Sequence, residues 1–324
     1  MHVLVTGGAG FIGSHMVDRL IRQGFEVTVL DTLEKGHREA VHPKAAFVLG
    51  NCGDPALLET LFAERPVDAV MHFAAYIEAG ESMQVPERFL VNNTARPLAL
   101  LEAMLRAGVK KFVFSSTAAI YGDPAYTPID EEHPKEPTNA YGYAKLLVEG
   151  SLAWLRRLRG LEYAALRYFN AAGCSEHLGE DHHPETHLIP LVLDVALGRR
   201  AAIKLFGTDY PTPDGTCVRD YIHVEDLVSA HILALEALGP RPLVYNLGNG
   251  QGYSVREVVE VARRVTGHPI PVEEAPRRPG DPAILVASSE KIRKELGWTP
   301  QRPDLEGIIE SAWRWRKHRV GKES

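Results

Sequence analysis

The chain reads as an α/β protein, with a doubly wound parallel sheet followed by a smaller, mixed α/β C-terminal lobe. Three observations predict this. From residue 1 to about 170, short apolar runs alternate with longer amphipathic patterns, as parallel strands joined by crossover helices do. The first run, His2-Val3-Leu4-Val5-Thr6, reads as a strand buried on both faces and leads directly into Gly7-Gly8-Ala9-Gly10-Phe11-Ile12-Gly13. The next, Glu26-Val27-Thr28-Val29-Leu30, ends in Asp31, about twenty residues on, where an acid would meet a ribose.

Taken in order, strands are expected at 2–6, 26–30, 45–49, 68–72, 110–115 and 161–167. Helices are expected between them at 11–23, 54–64, 86–107 and 139–159. Right-handed crossovers then place ligands beyond the carboxyl ends of the strands. The residues expected there are Gly7 to Gly13, Asp31, Asn51-Cys52, Phe73-Ala74-Ala75 and Ser115-Ser116-Thr117. After residue 170 the alternation loosens into a stretch rich in His, Pro and Gly, then helices at 186–198, 254–266 and 304–317 with short strands between. The expected organisation is a dinucleotide-binding domain over 1–170, to which 220–248 returns, and a substrate-binding lobe over 171–324.

Gly8, Gly10 and Gly13 fit the GxGxxG spacing of a Rossmann turn. One glycine serves the tight turn, one lets backbone N–H groups approach a pyrophosphate, and one lets helix and strand pack closely. The helix that begins at Phe11 would present its unpaired donors to the phosphates. Asp31 would repel a 2′-phosphate, which favours NAD over NADP. The alternative for Asp31 is a plain turn cap.

Bulk properties narrow the function. A net charge of -6 and a pI near 6.2 offer no basic face for nucleic acid, so an anionic ligand must be met by local arginines. The three cysteines, Cys52, Cys174 and Cys217, are too few and too scattered for a disulfide framework and suit a reducing compartment. No targeting segment is read ahead of the first strand, and no apolar run reaches the roughly 18 residues of a membrane span. A soluble cytoplasmic protein is expected.

Tyr141 and Lys145 stand four residues apart near the start of the helix expected at 139–159, so both project from one face. A phenol is a poor base at neutral pH, whereas a nearby ammonium favours the phenolate. Taken alone, the pair is more often a solvated helix face. The run Phe112-Val113-Phe114-Ser115-Ser116-Thr117 adds hydroxyls at the carboxyl edge of the sheet, where a proton would pass between substrate and Tyr141.

These motifs resemble the extended short-chain dehydrogenase/reductase superfamily and, within it, the UDP-glucose 4-epimerase (UDP-galactose 4-epimerase) family. The resemblance covers essentially the whole chain. It rests on Thr6 to His15, His72-Phe73-Ala74-Ala75, Ser115-Ser116-Thr117 with Tyr121-Gly122, Tyr141-x-x-x-Lys145 and Arg167-Tyr168-Phe169-Asn170. Phe206 to Thr212 and Arg219-Asp220-Tyr221-Ile222-His223-Val224 point more narrowly to the 4-epimerases. The resemblance implies a tightly bound NAD, with Gly7, Gly10, Phe11, Ile12 and Gly13 at the pyrophosphate and Asp31 on a ribose. Asn51 and Cys52 would flank the adenine, Phe73, Ala74, Ala75 and Asn93 would line the dinucleotide with Tyr141 and Lys145, and Phe169 would lie near the nicotinamide. For a UDP-sugar substrate it implies Thr117, Tyr141, Asn170, His187, Leu188, Phe206, Arg219, Arg278 and Asp281, with Thr117, Tyr141 and Lys145 catalytic. It further implies a homodimer through the helices at 86–107 and 139–159.

Some positions depart from the family pattern. Asn51 stands where an acid often meets the adenine amino group, and its amide oxygen could accept the same bond. Ile77 replaces a lysine that some members place near the cofactor. Ile284 falls where some members carry a tyrosine that restricts the sugar pocket, which suggests room for N-acetylated hexosamines. The alternatives are a UDP-pentose or UDP-uronate epimerase, a dehydratase, a decarboxylase or a non-catalytic NAD-binding module. Ala118-Ala119 after Thr117 lack the acid a dehydratase needs. His177, His182, His183 and His187 read as a polar loop, with no metal expected. Trp313-Arg314-Trp315-Arg316-Lys317 reads as a terminal helix with buried tryptophans and a basic outer face.

Overall fold

The computed structural model describes residues 1–278 and 281–323. In chain order its strands are β1 (His2–Thr6), β2 (Glu26–Asp31), β3 (Ala46–Leu49), β4 (Ala69–His72), β5 (Lys111–Thr117), β6 (Glu162–Tyr168), β7 (Asn170–Ala172), β8 (Ile203–Phe206), β9 (Val218–His223), β10 (Leu243–Leu247), β11 (Gly252–Ser254), β12 (Val272–Ala275) and β13 (Ile284–Leu285). The helices are α1 (Phe11–Arg22), α2 (Pro55–Glu64), α3 (Ala79–Ser82), α4 (Pro86–Leu90), α5 (Arg96–Arg106), α6 (Ala140–Arg159), α7 (Leu188–Ala196), α8 (Val224–Glu236), α9 (Val255–Thr266), α10 (Glu290–Leu296) and α11 (Leu305–Glu323).

Seven parallel strands form the central sheet in the order β10-β6-β5-β4-β1-β2-β3. The order reverses between β1 and β4, which opens a crevice at their carboxyl ends. The sheet is buried on both faces because successive side chains serve opposite cores. Val3, Val5, Val27 and Val29 pack with Met16, Val17 and Leu20 of α1 and Leu227 of α8. Leu4, Leu30, Phe112 and Phe114 pack with Leu58 of α2, Leu100 of α5 and Val148 of α6.

The segment 220–248 divides between the two lobes. Strand β9 joins β11, β13 and β7 in a small second sheet, while β10 pairs with β6 at the edge of the central one. The chain then returns once more, since Ile292 and Trp298 lie in the first lobe's core. The Trp298 indole N–H donates to the Ser229 hydroxyl at 3.0 Å. The second lobe has its own core, built from α7, α9 and α11 around Val192, Leu193, Val258, Ile308 and Trp313.

Two expectations need correction. The helix expected over 86–107 is interrupted by a π turn at Val91–Ala95. Pro97 cannot donate to the carbonyl of Asn93 and crowds it, and a wider turn relieves both. On α11, Arg316 does not belong to the outer face; it is buried and pairs with Asp194. Among the described residues, no helix is long and apolar enough to cross a membrane.

Candidate active site

A cleft of about 350 Å³ lies at the carboxyl ends of the central strands, with the second lobe forming its opposite wall. Gly7, Gly10, Phe11, Ile12 and Gly13 line it at the start of α1. A Cβ on Gly13 would stand 2.0 Å from the Gly7 carbonyl oxygen, and one on Gly7, where φ is +74°, would stand 2.5 Å from the Ala74 nitrogen. Only glycine therefore allows helix, turn and strand to meet here, and the first N–H groups of α1 remain open to an anion.

Asp31 lies on the same wall, its carboxylate accepting from Ala9 N–H at 3.0 Å and Leu33 N–H at 2.9 Å. These bonds fix the carboxylate while leaving lone pairs for a diol. Asn51 and Cys52 also line the cleft, as do Phe73, Ala74, Ala75, Phe169, Asn170, His187 and Leu188. The Asn51 amide oxygen, expected to meet an adenine, already accepts from Gly53 N–H at 2.8 Å. Burial pushes the Cys52 thiol up to about 11, which leaves it inert.

Asn93 does not border the cleft among the described residues. The π turn aims it inward, where its amide accepts from Tyr76 N–H at 2.9 Å and donates to the Tyr76 carbonyl at 2.8 Å. It thus braces the wall segment that follows β4.

Tyr141 sits in the first turn of α6, whose N-terminus is capped by Asn139 accepting from Gly142 N–H at 2.8 Å. Gly142 allows the helix to approach the end of β5, since a Cβ there would lie 2.4 Å from the Ala119 carbonyl. The result is that Tyr141, Lys145 and Thr117 share one stretch of cleft wall. The Tyr141 backbone N–H is held by the Ser82 hydroxyl at 3.2 Å.

The electrostatics of this pair differ from the sequence expectation. Burial raises the Tyr141 phenol above its ordinary value, a bond to Thr117 draws it back, and Glu78 adds to the rise. Lys145 donates to the Ser115 carbonyl at 2.9 Å rather than to the phenol. Burial lowers its ammonium to about 7. In this state both groups are pushed toward neutrality.

The remaining expected residues occupy the second lobe. Arg219 precedes Tyr221, a cleft residue, by two places on β9, so both lie on one face of the strand. The Arg219 guanidinium pairs with Asp281 and donates to the Pro282 carbonyl at 2.9 Å. Arg278 stacks over Phe206 at 4.0 Å. Phe206, Arg219, Arg278 and Asp281 thus form two adjoining pairs rather than part of the cleft lining itself.

Ile284 pairs in register with Val218, and the next residue, Leu285, packs against the buried cluster of Ala118, Ile120, Tyr121 and Ile129. Strand alternation sends the two side chains to opposite faces, and neither residue borders the cleft.

Some contacts at the cleft carried no sequence signal. Tyr168, known from sequence only as part of a motif, is bonded to Ser115. Lys35 bridges to Glu78 at 3.0 Å across 43 residues of chain. Glu180 and Glu185 gather His182 and His187 into one group, with a ligand-type atom from each within 4.8 Å of the others. Of the other histidines in that stretch, His177 has a side chain 71% exposed at the surface.

The NAD-dependent epimerase/dehydratase family model matches residues 3–248. The chain belongs to that family. Its relatives include the UDP-glucose 4-epimerase of Halalkalibacterium halodurans, 53% identical over 321 residues, covering 98% of this chain and 96% of the relative. The solved UDP-glucose 4-epimerase of Brucella ovis, in complex with NAD, is 44% identical and superposes with a TM-score of 0.92, covering 96% and 97% of the two chains. That of Bifidobacterium longum, in complex with NAD+ and UDP, is 39% identical with a TM-score of 0.94, and 99% of each chain is covered. The family's cofactor suits the groove found here: the glycines let the turn close on its own backbone with the first N–H groups of α1 open to a diphosphate, and the Asp31 carboxylate on the same wall suits a ribose diol.

Proposed function

We propose that the protein interconverts UDP-galactose and UDP-glucose by NAD-dependent epimerisation at C4′. The observation that carries this reading is the meeting of Thr117, Tyr141 and Lys145 with the Gly7–Gly13 turn in one cleft. NAD, held at the Gly7–Gly13 turn and Asp31, would supply a reversible hydride acceptor for C4′, with no net redox change and no need to leave. Tyr141 takes the 4′-hydroxyl proton, with Thr117 bonded to the same oxygen. Lys145, one helical turn away on the same wall, would favour the phenolate in its protonated form.

The 4-keto sugar presents first one face and then the other to the cofactor. Firm contacts therefore belong on the uridine and diphosphate, and loose ones on the hexose. Arg219, Arg278 and His187 supply charge for the diphosphate, while Asp281 can accept from a ribose hydroxyl. The test is to incubate purified protein with UDP-galactose, follow UDP-glucose, and identify what denaturation releases. Formation of UDP-glucose with release of NAD supports the reading. Failure of turnover with NAD present overturns it.

Ile284, smaller than the tyrosine some family members carry there, favours a second activity on N-acetylated UDP-hexosamines. Absence of UDP-GlcNAc turnover in an enzyme active on UDP-glucose would remove it.

The working unit is a homodimer. Tyr143, Leu147, Trp154 and Leu158 of α6 are exposed, and their spacing puts them on one helical face. Val91 and Leu98 add exposed apolar surface from the neighbouring π turn and α5. A monomer by sedimentation would refute this, and Leu147→Glu should produce one. Three free, buried cysteines suit the reducing cytoplasm, where we place the enzyme.

A further inference from the structure

We propose that Glu180 and Glu185 are positioning residues that hold His187 as an imidazolium, a standing cation for the diphosphate of the substrate. This rests on the nucleotide-sugar reading above. His187 Nδ1 lies 2.8 Å from Glu180 Oε1 and 2.9 Å from Glu185 Oε1. Both carboxylate side chains are only 7% exposed, whereas that of His187 is 40% exposed. Carboxylates so deeply placed remain ionised only beside a cation.

The geometry also assigns the two ring nitrogens. With Nδ1 committed to the carboxylates, Nε2–H is the donor left for the cleft that His187 lines. His187 immediately precedes α7, whose first residues, Leu188 and Ile189, line the same cleft. The ring and the positive end of that helix therefore act on one anion. Burial alone would discharge the ring, but Glu180 first and then Glu185 hold its pKa well above the usual 6.5.

The surroundings keep this charge in balance. Glu185 also accepts from the backbone N–H groups of Thr186 and His187, both at 2.8 Å. Its second oxygen faces Arg316 on α11 at 3.7 Å, and Arg316 in turn pairs with Asp194 of α7. His182 stands 5.1 Å away, ring to ring, with its Nδ1 3.3 Å from Glu180. Asp181 is taken by Arg319 and by His37. The Nδ1 proton already stands between the two carboxylates, where a bound cation would otherwise be required.

The test pairs a titration with kinetics. Nitrogen NMR of histidine-labelled protein, with His187→Asn to assign the signal, should show His187 still protonated at pH 8. KM for UDP-galactose should stay flat from pH 6 to 8 in the parent. In the E180Q/E185Q double variant KM should rise about tenfold over that range, as the ring returns to its ordinary value near 6.5. The change should fall on KM rather than on kcat. Adding His187→Lys to the double variant should restore the flat profile.

Should the double variant fail to fold, the single Glu180→Gln variant and the parent NMR titration decide the question. A His187 that titrates near 6.5 in the parent overturns the proposal, as does a flat KM profile in the variant. Stoichiometric Zn²⁺ uptake by calorimetry, lost in the variant, would overturn it in favour of a metal site. Binding of neither UDP nor UDP-galactose to the parent would instead defeat the nucleotide-sugar reading.

Discussion

On the first-lobe wall of the cleft, burial works against charge. The Tyr141 phenol is raised above its ordinary value and the Lys145 ammonium is lowered to about 7, each by desolvation first. In the second lobe, charge is fixed by counter-charge: Arg219 meets Asp281 and Arg316 meets Asp194 outside the cleft lining, and His187, on the lining, lies between two glutamates. Burial favours the uncharged form of each group on the first wall, whereas paired ions hold their charge through a catalytic cycle. The difference separates a wall that exchanges protons from one that grips an anion.

The largest expected effect is on the first wall. Tyr141→Phe should lower kcat about a thousandfold while the protein still releases NAD on denaturation. Activity near the parent's would strip Tyr141 of its role as base and erase the division between the walls. In the second lobe, Arg219→Ala should raise KM for the UDP-sugar by roughly ten- to a hundredfold, with much less change in kcat. A loss confined to kcat would show that this lobe takes part in the chemistry.

The smallest effect is on stability. The Lys145 ammonium titrates near 7 when folded and near 10.4 when unfolded. Between those values the unfolded chain binds the extra proton, so stability rises with pH as this penalty is relieved. NAD-free parent protein should therefore gain stability relative to Lys145→Met by up to about 1.4 kcal/mol per pH unit above pH 7. Parallel denaturant midpoints for the two proteins across pH 7 to 9 would show that the lysine is not desolvated.

The first lobe was largely legible from sequence because its signals are local. Strand alternation, the glycine turn and the Tyr141–Lys145 spacing each lie within a few residues of chain, and each appears in the structure where expected. What escaped is set by contacts distant in sequence. Lys35 meets Glu78 43 residues on, and Arg316 turns inward because Asp194 is 122 residues away. Tyr141 and Lys145 show the same limit in another form: their spacing was legible, but burial, which sets their charge, depends on the whole fold. Pro97 was a local signal for the π turn and was overridden by the apolar pattern around it.

The repeated passage of the chain between lobes has a mechanical consequence. β9 serves the second sheet, α8 and β10 return to the first lobe, β11 and α9 leave again, and Trp298 comes back to the first core. Among the described residues, no single cut in the backbone could release either half, and no lone linker joins them about which they could swing. The two halves are laced together, so heat should melt them in one cooperative step, and admission of substrate must rely on local loops rather than on the halves parting.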